Sequence, residues 1–225
     1  MPSNARSCST WRLYVIIDRS AAGSRDLADL AAAAIRGGAD VLQLRDKAAG
    51  AKALTDEARR LLHLTRPAGI PLIINDWPEV AKAAGADGVH LGQDDLSIAK
   101  ARALLGGTAL IGRSTHSLPQ ALEAEQEGAD YLGVGPVFAT PTKPDYPQVG
   151  VSLVREVASR VRIPFVAIGG IEPGTIGQVI AAGARCVAVV RAVCAAPDPA
   201  AAAQQLKKAC STTDKIFRGV SSSPL

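Results

Sequence analysis

Along this chain, cations and carboxylates recur at places where an apolar run stops. In Val41-Leu42-Gln43-Leu44-Arg45-Asp46-Lys47, the residues Gln43, Arg45 and Lys47 fall at alternate positions. Strand side chains alternate with period two, so these three share one face while Leu42 and Leu44 take the other. Two cations and an amide converging on one spot suit a diphosphate, whose oxygens accept charge-assisted hydrogen bonds. An amphipathic strand with that face in water is the plainer reading; it fits poorly with parallel strands, which are covered on both sides. Further on, Ile73-Ile74-Asn75-Asp76 and His90-Leu91-Gly92-Gln93-Asp94-Asp95 would bring Asp76 and Asp95 to adjacent strand ends. Mg²⁺ is commonly held by one or two carboxylates together with waters and substrate phosphates, which this pair could supply. Asp is equally favoured as a helix N-cap, and spacing alone does not choose between the two.

Four further segments carry polar groups at strand ends. His90 reads as a buried, hydrogen-bonded strand residue rather than a catalyst. In Gly112-Arg113-Ser114-Thr115-His116-Ser117, the hydroxyl of Ser114 could meet a ligand, and Ser117 with Gln120 resembles a capping box. The stretch from Gly135 through Thr140-Pro141-Thr142-Lys143 to Gly150 is the longest connection, and its hydroxyls and cation could serve a phosphate from a lid. Gly169-Gly170 and Val190-Arg191 end the last two apolar runs, where many barrels bind phosphate on glycine N–H groups and a helix N-terminus.

What must position these residues is a series of eight strand–helix pairs. Short β-rich apolar runs at 13–18, 41–45, 71–75, 88–91, 109–113, 131–135, 163–168 and 186–190 alternate with Ala-rich helical stretches near 25–37, 51–66, 77–84, 96–105, 117–127, 151–160, 173–182 and 198–209. Gly38-Ala39-Asp40, Gly85-Ala86-Asp87, Gly128-Ala129-Asp130 and the variant Gly183-Ala184-Arg185 stand before strands. In each, glycine ends a helix with positive φ and a short connection leads to the next strand. Eight such units in 225 residues predict a single α/β domain, a closed (β/α)₈ TIM barrel over 11–210, with Ser- and Thr-containing tails at 1–10 and 211–225. The active site of such a barrel lies at the C-terminal ends of its strands.

Composition narrows the function classes. A formal net charge of +4 favours anionic small partners such as phosphates, but Lys and Arg are interspersed with Asp and Glu. Three Tyr, three Phe and two Trp offer little for base stacking, so nucleic acid is not the expected partner. Cys8, Cys186, Cys194 and Cys210 form no CxxC pair and read as reduced and structural. No apolar run nears the roughly 18 residues of a membrane span, so neither membrane nor export is expected and the cytoplasm follows by default. Homo-oligomerisation is left open.

Taken together, Gln43-Leu44-Arg45-Asp46-Lys47, Asn75-Asp76, Gly88-Val89-His90-Leu91-Gly92-Gln93-Asp94-Asp95, Ser114-Thr115-His116, Thr140-Pro141-Thr142-Lys143 and Gly169-Gly170-Ile171 make the chain resemble the thiamine-phosphate synthase family from about residue 12 to 209. The resemblance implies a transferase that joins a hydroxymethylpyrimidine diphosphate to a thiazole phosphate with Mg²⁺. It implies that the run from Gln43 to Lys47, with Leu44 and Asp46 in it, binds the diphosphate substrate together with Asn75, Ser114 and Lys143. Asp76 and Asp95 would hold the metal, and Thr140, Pro141, Thr142, Gly170, Val190 and Arg191 would surround the thiazole phosphate. Arg45, Lys47, Ser114 and Lys143 would carry the catalytic effect. Two positions depart from the family pattern: Ala139, where Pro is common, and Arg191, where many relatives have a small hydroxyl residue. A thiazole tautomerase and a silent phosphate-binding barrel are the competing readings, neither of which needs the combined cations and carboxylates.

Overall fold

Eight short parallel strands with side chains alternating in and out leave no free edge when they close on themselves, and that is the architecture found. The computed structural model describes residues 8–141 and 147–212. Its strands are β1 (Leu13–Asp18), β2 (Val41–Arg45), β3 (Leu72–Asn75), β4 (Gly88–Leu91), β5 (Leu110–Thr115), β6 (Tyr131–Val134), β7 (Phe165–Ile168) and β8 (Cys186–Val189), in a closed barrel of that order with β8 paired to β1. The helices are α1 (Arg19–Ala22), α2 (Leu27–Arg36), α3 (Ala51–Ala68), α4 (Pro78–Ala84), α5 (Ile98–Leu105), α6 (Leu118–Gln126), α7 (Gly150–Arg160), α8 (Ile176–Ala181), α9 (Arg191–Cys194) and α10 (Pro199–Thr212). All eight anticipated strand–helix pairs are present. The short helices α1 and α9 were not anticipated, because four residues are too few to show a period.

Alternation divides the apolar residues between two cores. Leu42, Leu44, Leu72 and Ile74 face outward onto the helices, while Tyr14, Ile16, Val41, Ile73 and Tyr131 fill the barrel with Trp11 beneath them. Trp11 meets Tyr131 edge-on with ring centroids 5.3 Å apart, a favourable aromatic geometry that plugs the lower opening. The 3₁₀ turn Cys8–Thr10 adds to this plug with Cys8 buried, so the last three residues of the expected N-terminal tail belong to the fold. The cysteines are free and buried; burial foremost pushes Cys8 and Cys210 up to about 12 and Cys194 to about 11, which makes them poor nucleophiles.

Boundaries moved where a side chain or a proline took over a backbone bond. The seventh strand starts at Phe165 rather than 163, since Ile163 N–H donates to Glu125 Oε1 at 3.0 Å and Pro164 has no N–H. Helix α8 starts at Ile176, after a turn in which Glu172 N–H donates to Thr175 Oγ1.

The repeated Gly-Ala-Asp does more than end helices. Asp40 Oδ2 accepts the N–H groups of Arg12 and Leu13 at 2.8 and 2.9 Å, Asp87 accepts Leu72 N–H at 2.8 Å, and Asp130 accepts Ile111 N–H at 2.7 Å. Each aspartate braces the start of the strand before its own. Lys207 and Arg102 pair with Asp40 and Asp130 respectively, so this lower rim is neutralised and hydrogen-bonded.

Candidate active site

The upper ends of the strands surround a cavity of about 730 Å³. Of the expected site residues, Gln43, Arg45, Asn75, Ser114, Thr140, Pro141, Gly170, Val190 and Arg191 line it, together with His90 and His116. They arrive from seven different strands or the loops after them, as a barrel mouth requires. Thr142 and Lys143 lie outside the described residues.

Beside the cavity the charged groups form one connected cluster. Arg45 is ion-paired to Asp18, its partner in register across β1 and β2. Asp18 is 1% exposed, and its Oδ1 also accepts from Ala21 N–H and the Ser20 hydroxyl. Burial works to raise the Asp18 pKa, yet the bonds from Ser20 and Arg45, with the Arg45 charge, hold it below the usual carboxylate range. Asp18 is thus a fixed anion that aims the guanidinium. Nothing in the sequence reading named it, although it ends an apolar run as Asp76 does.

Lys47 reaches Asp76 at 3.5 Å. Asp76 in turn faces Asp95: burial and then the hydrogen bond and charge of Asp95 raise its pKa, against the pull of Lys47 and Arg45. The capping alternative does not hold for either aspartate. The N-cap of α4 is Trp77 and that of α5 is Ser97, whose hydroxyl accepts Lys100 N–H. Asp76 instead adopts φ +64°, a left-handed conformation that costs a non-glycine residue about 1 kcal/mol, while its N–H is held by His90 O at 2.8 Å. Asp95 braces its own turn by accepting Gly92 N–H at 2.6 Å.

Two of the expected substrate-binding residues turn their side chains to other partners. The Leu44 side chain is fully buried in the outer core against the helices, because period two turns it away from Gln43 and Arg45. The Asp46 carboxylate accepts Ala48 and Ala49 N–H at 3.0 and 3.1 Å, which folds the loop after β2 rather than facing the cavity. The capping reading of Ser117 holds: it accepts Gln120 N–H at the start of α6.

The Gly-Gly after β7 has a packing reason of its own. Gly169 and Gly170 have φ of 102° and 62°, and a Cβ on them would lie 2.5 Å from Pro136 and 2.7 Å from Phe138. Only glycine lets the loops after β6 and β7 close on one another, with Phe138 N–H donating to Gly169 O at 3.0 Å. This half of the mouth presents Phe138, Ile168, Val190 and Ala192 together with the charged Glu172 and Arg191, while the ion-paired cluster lies beside the β1–β4 half. One cavity can therefore hold a charged group and an apolar ring side by side.

Comparison with known proteins identifies the family. The family model described as thiamine monophosphate synthase matches residues 13–193. The chain is 50% identical over 206 residues to a thiamine-phosphate synthase of Chloroflexus aurantiacus, covering 91% of this chain and 95% of that one. It is 48% identical over 197 residues to that of Shouchella clausii, covering 87% and 94%. Among solved structures, thiamine phosphate pyrophosphorylase from Pyrococcus furiosus superposes with a TM-score of 0.84 at 36% identity, over 93% of this chain and 98% of that one. 3-Hexulose-6-phosphate synthase, with a TM-score of 0.67 at 22% identity over 88% and 99% of the two chains, shares the barrel fold. By sequence and fold, the chain belongs to the thiamine monophosphate synthase family of transferases.

Proposed function

We propose that this enzyme condenses 4-amino-2-methyl-5-hydroxymethylpyrimidine diphosphate with 4-methyl-5-(2-phosphoethyl)thiazole, giving thiamine phosphate and pyrophosphate. The observation that carries the reading is the cluster Asp18, Arg45, Lys47, Asp76 and Asp95 beside one edge of a cavity whose opposite edge sets apolar Phe138, Ile168 and Val190 next to the Arg191 cation. A diphosphate leaving group suits the first edge, and the thiazole ring the second. The chemistry is dissociative: the bond from the methylene to the diphosphate oxygen breaks, the electron-rich aminopyrimidine stabilises the cation, and the thiazole nitrogen attacks it. No side-chain nucleophile is needed. Arg45 and Lys47, with Lys143, neutralise charge growing on the leaving oxygen, and the walls keep the two rings in line. The buried Asp18 keeps Arg45 extended toward the mouth before any substrate arrives.

The residues also fit a magnesium ion. Asp76 and Asp95 are two hard oxygen donors forced together, and a cation between them would relieve the repulsion that raises the Asp76 pKa. Among the described residues no group of three or more His, Cys, Asp or Glu could hold a metal alone, so diphosphate oxygens and waters would complete the shell. When bound, Mg²⁺ would supply charge neutralisation to the departing diphosphate.

The test is a thiazole-dependent pyrophosphate-release assay with and without EDTA. Release is expected only with both substrates and to be lost on chelation. Asp76→Ala and Lys143→Ala should each slow it roughly 10²-fold or more; near-normal Mg²⁺-dependent turnover in both variants would refute the assignment. A tautomerase would act on the thiazole phosphate alone, and a silent barrel would release nothing.

A further inference from the structure

Two tyrosines and a histidine form part of the cavity wall, and the chemistry above gives them no task. Their hydrogen bonds join end to end. Gln43 Nε2 donates to the Tyr14 hydroxyl at 2.7 Å, the Tyr14 and Tyr131 hydroxyls meet at 3.1 Å, Tyr131 meets His90 Nδ1 at 3.1 Å, and His90 Nε2 meets Ser114 Oγ at 3.0 Å. The chain crosses the barrel from β2 through β1, β6 and β4 to β5, and both ends line the cavity. Two glycines clear its path. A Cβ at Gly112 would lie 2.2 Å from the Tyr131 ring and 2.5 Å from His90 Nδ1, and one at Gly133 would lie 3.1 Å from the His90 ring.

Counting protons gives the chain a direction. An amide nitrogen only donates, so the Tyr14 oxygen accepts from Gln43 and turns its own single proton to Tyr131. Tyr131 then gives its proton to His90 Nδ1. A neutral imidazole that accepts at Nδ1 carries its proton at Nε2, where Ser114 Oγ receives it. Desolvation pushes both phenols well above their ordinary pKa, so each keeps its one proton. An imidazolium would donate from both nitrogens and turn the Tyr131 proton toward an oxygen already accepting from Gln43. The Tyr14 proton would then lose both partners in an interior where Tyr14, Tyr131 and Gln43 are at most 2% exposed.

We propose that Tyr14, Tyr131 and His90 are positioning residues that act as one directional chain. They fix Gln43 to present its carbonyl oxygen to the ligand as an acceptor, and Ser114 to present its hydroxyl as a donor. The ligand that fits carries an N–H group toward β2 and an acceptor oxygen toward β5. An aminopyrimidine bearing a diphosphate has both, so the inference deepens the reading above and rests on it for the identity of the ligand.

The test is ¹⁵N NMR of the histidine ring in the full-length, substrate-free protein, assigned through a His90→Gln control. The wild type should show His90 as the neutral Nε2–H tautomer. Gln43→Glu puts an acceptor where the donor was and should reverse every bond, turning His90 into the Nδ1–H tautomer three side chains away. Adding Tyr14→Phe to Gln43→Glu cuts the chain and should return the Nε2–H form. Tyr131→Phe should lower kcat/KM about tenfold, the equivalent of one neutral hydrogen bond. An Nδ1–H or charged His90 in the wild type overturns the proposal, and so does an unchanged tautomer in a folded Gln43→Glu variant. Because the tautomer is read without substrate, failure of the pyrophosphate assay would sink the assigned reaction while leaving the chain itself to stand on its spectrum.

Discussion

Aspartates at the two rims of the barrel lead opposite lives. At the lower rim, Asp40, Asp87 and Asp130 each accept strand N–H groups, and Asp40 and Asp130 also hold a cation. At the upper rim, Asp76 sits at positive φ against the carboxylate of Asp95. Satisfied polar groups stabilise a fold, whereas opposed charges and strained backbone mark a place shaped for something else. Asp18 stands between these cases: it is at the upper rim, yet its partners Arg45, Ser20 and Ala21 satisfy it as fully as any lower-rim carboxylate.

The sharpest way to break this contrast is to exchange stability and activity at one position. Asp76→Gly removes the carboxylate and the backbone strain together; turnover should fall roughly 10²-fold or more, while thermal stability should hold or rise by about 0.5–1 kcal/mol. Parallel loss of melting temperature and activity would mean Asp76 is a structural residue. Next in size, Asp40→Ala should cost about 2–4 kcal/mol in denaturant unfolding, since it leaves two strand N–H groups and Lys207 unsatisfied. Its kcat/KM should be unchanged in the fraction that is folded.

Asp18→Asn joins the two classes and should cost about 1–3 kcal/mol together with a loss of turnover through a misaimed Arg45. Its pH signature follows from the lowered pKa. A carboxylate with a depressed folded pKa contributes stability that is fully present above the ordinary value of 3.8 and is lost as pH falls through the lower folded value. Wild type and Asp18→Asn should therefore differ most at neutral pH and converge in strong acid. A constant gap across that range would show that the ion pair is not the cause. The smallest effect is expected at Lys52, whose pair with Asp56 at 2.9 Å is on the open surface of α3. Lys52→Ala should leave both melting temperature and turnover unchanged.

Much of this was legible in the sequence. Period-two alternation in Val41 to Lys47 separates Gln43 and Arg45 from Leu42, and eight apolar runs with helices between them fit a closed barrel better than an open sheet. What alternation cannot supply is the partner across the sheet. Asp18 and Arg45 are 27 residues apart and meet because β1 and β2 pair in one register, and Tyr14 and Tyr131 are 117 apart. The motif after β2 also blurred two kinds of residue. Leu44 and Asp46 accompany the site in sequence, but one packs outward and the other folds its own loop. The lower-rim aspartates show in the sequence only as residues that follow a glycine, because the N–H groups they accept lie at the start of the preceding strand.

Closure itself sets the order in which the molecule can be made. The second edge of β1 pairs only with Val187, Ala188 and Val189, and Arg25 reaches across to the carbonyls of Cys194 and Ala196. A chain emerging from the ribosome therefore carries a first strand with one edge unpaired until β8 has been synthesised, a pairing of long sequence separation that slows folding and leaves an edge open to neighbours. The same seam that removes every edge from the finished barrel makes its earliest strand the last to be protected.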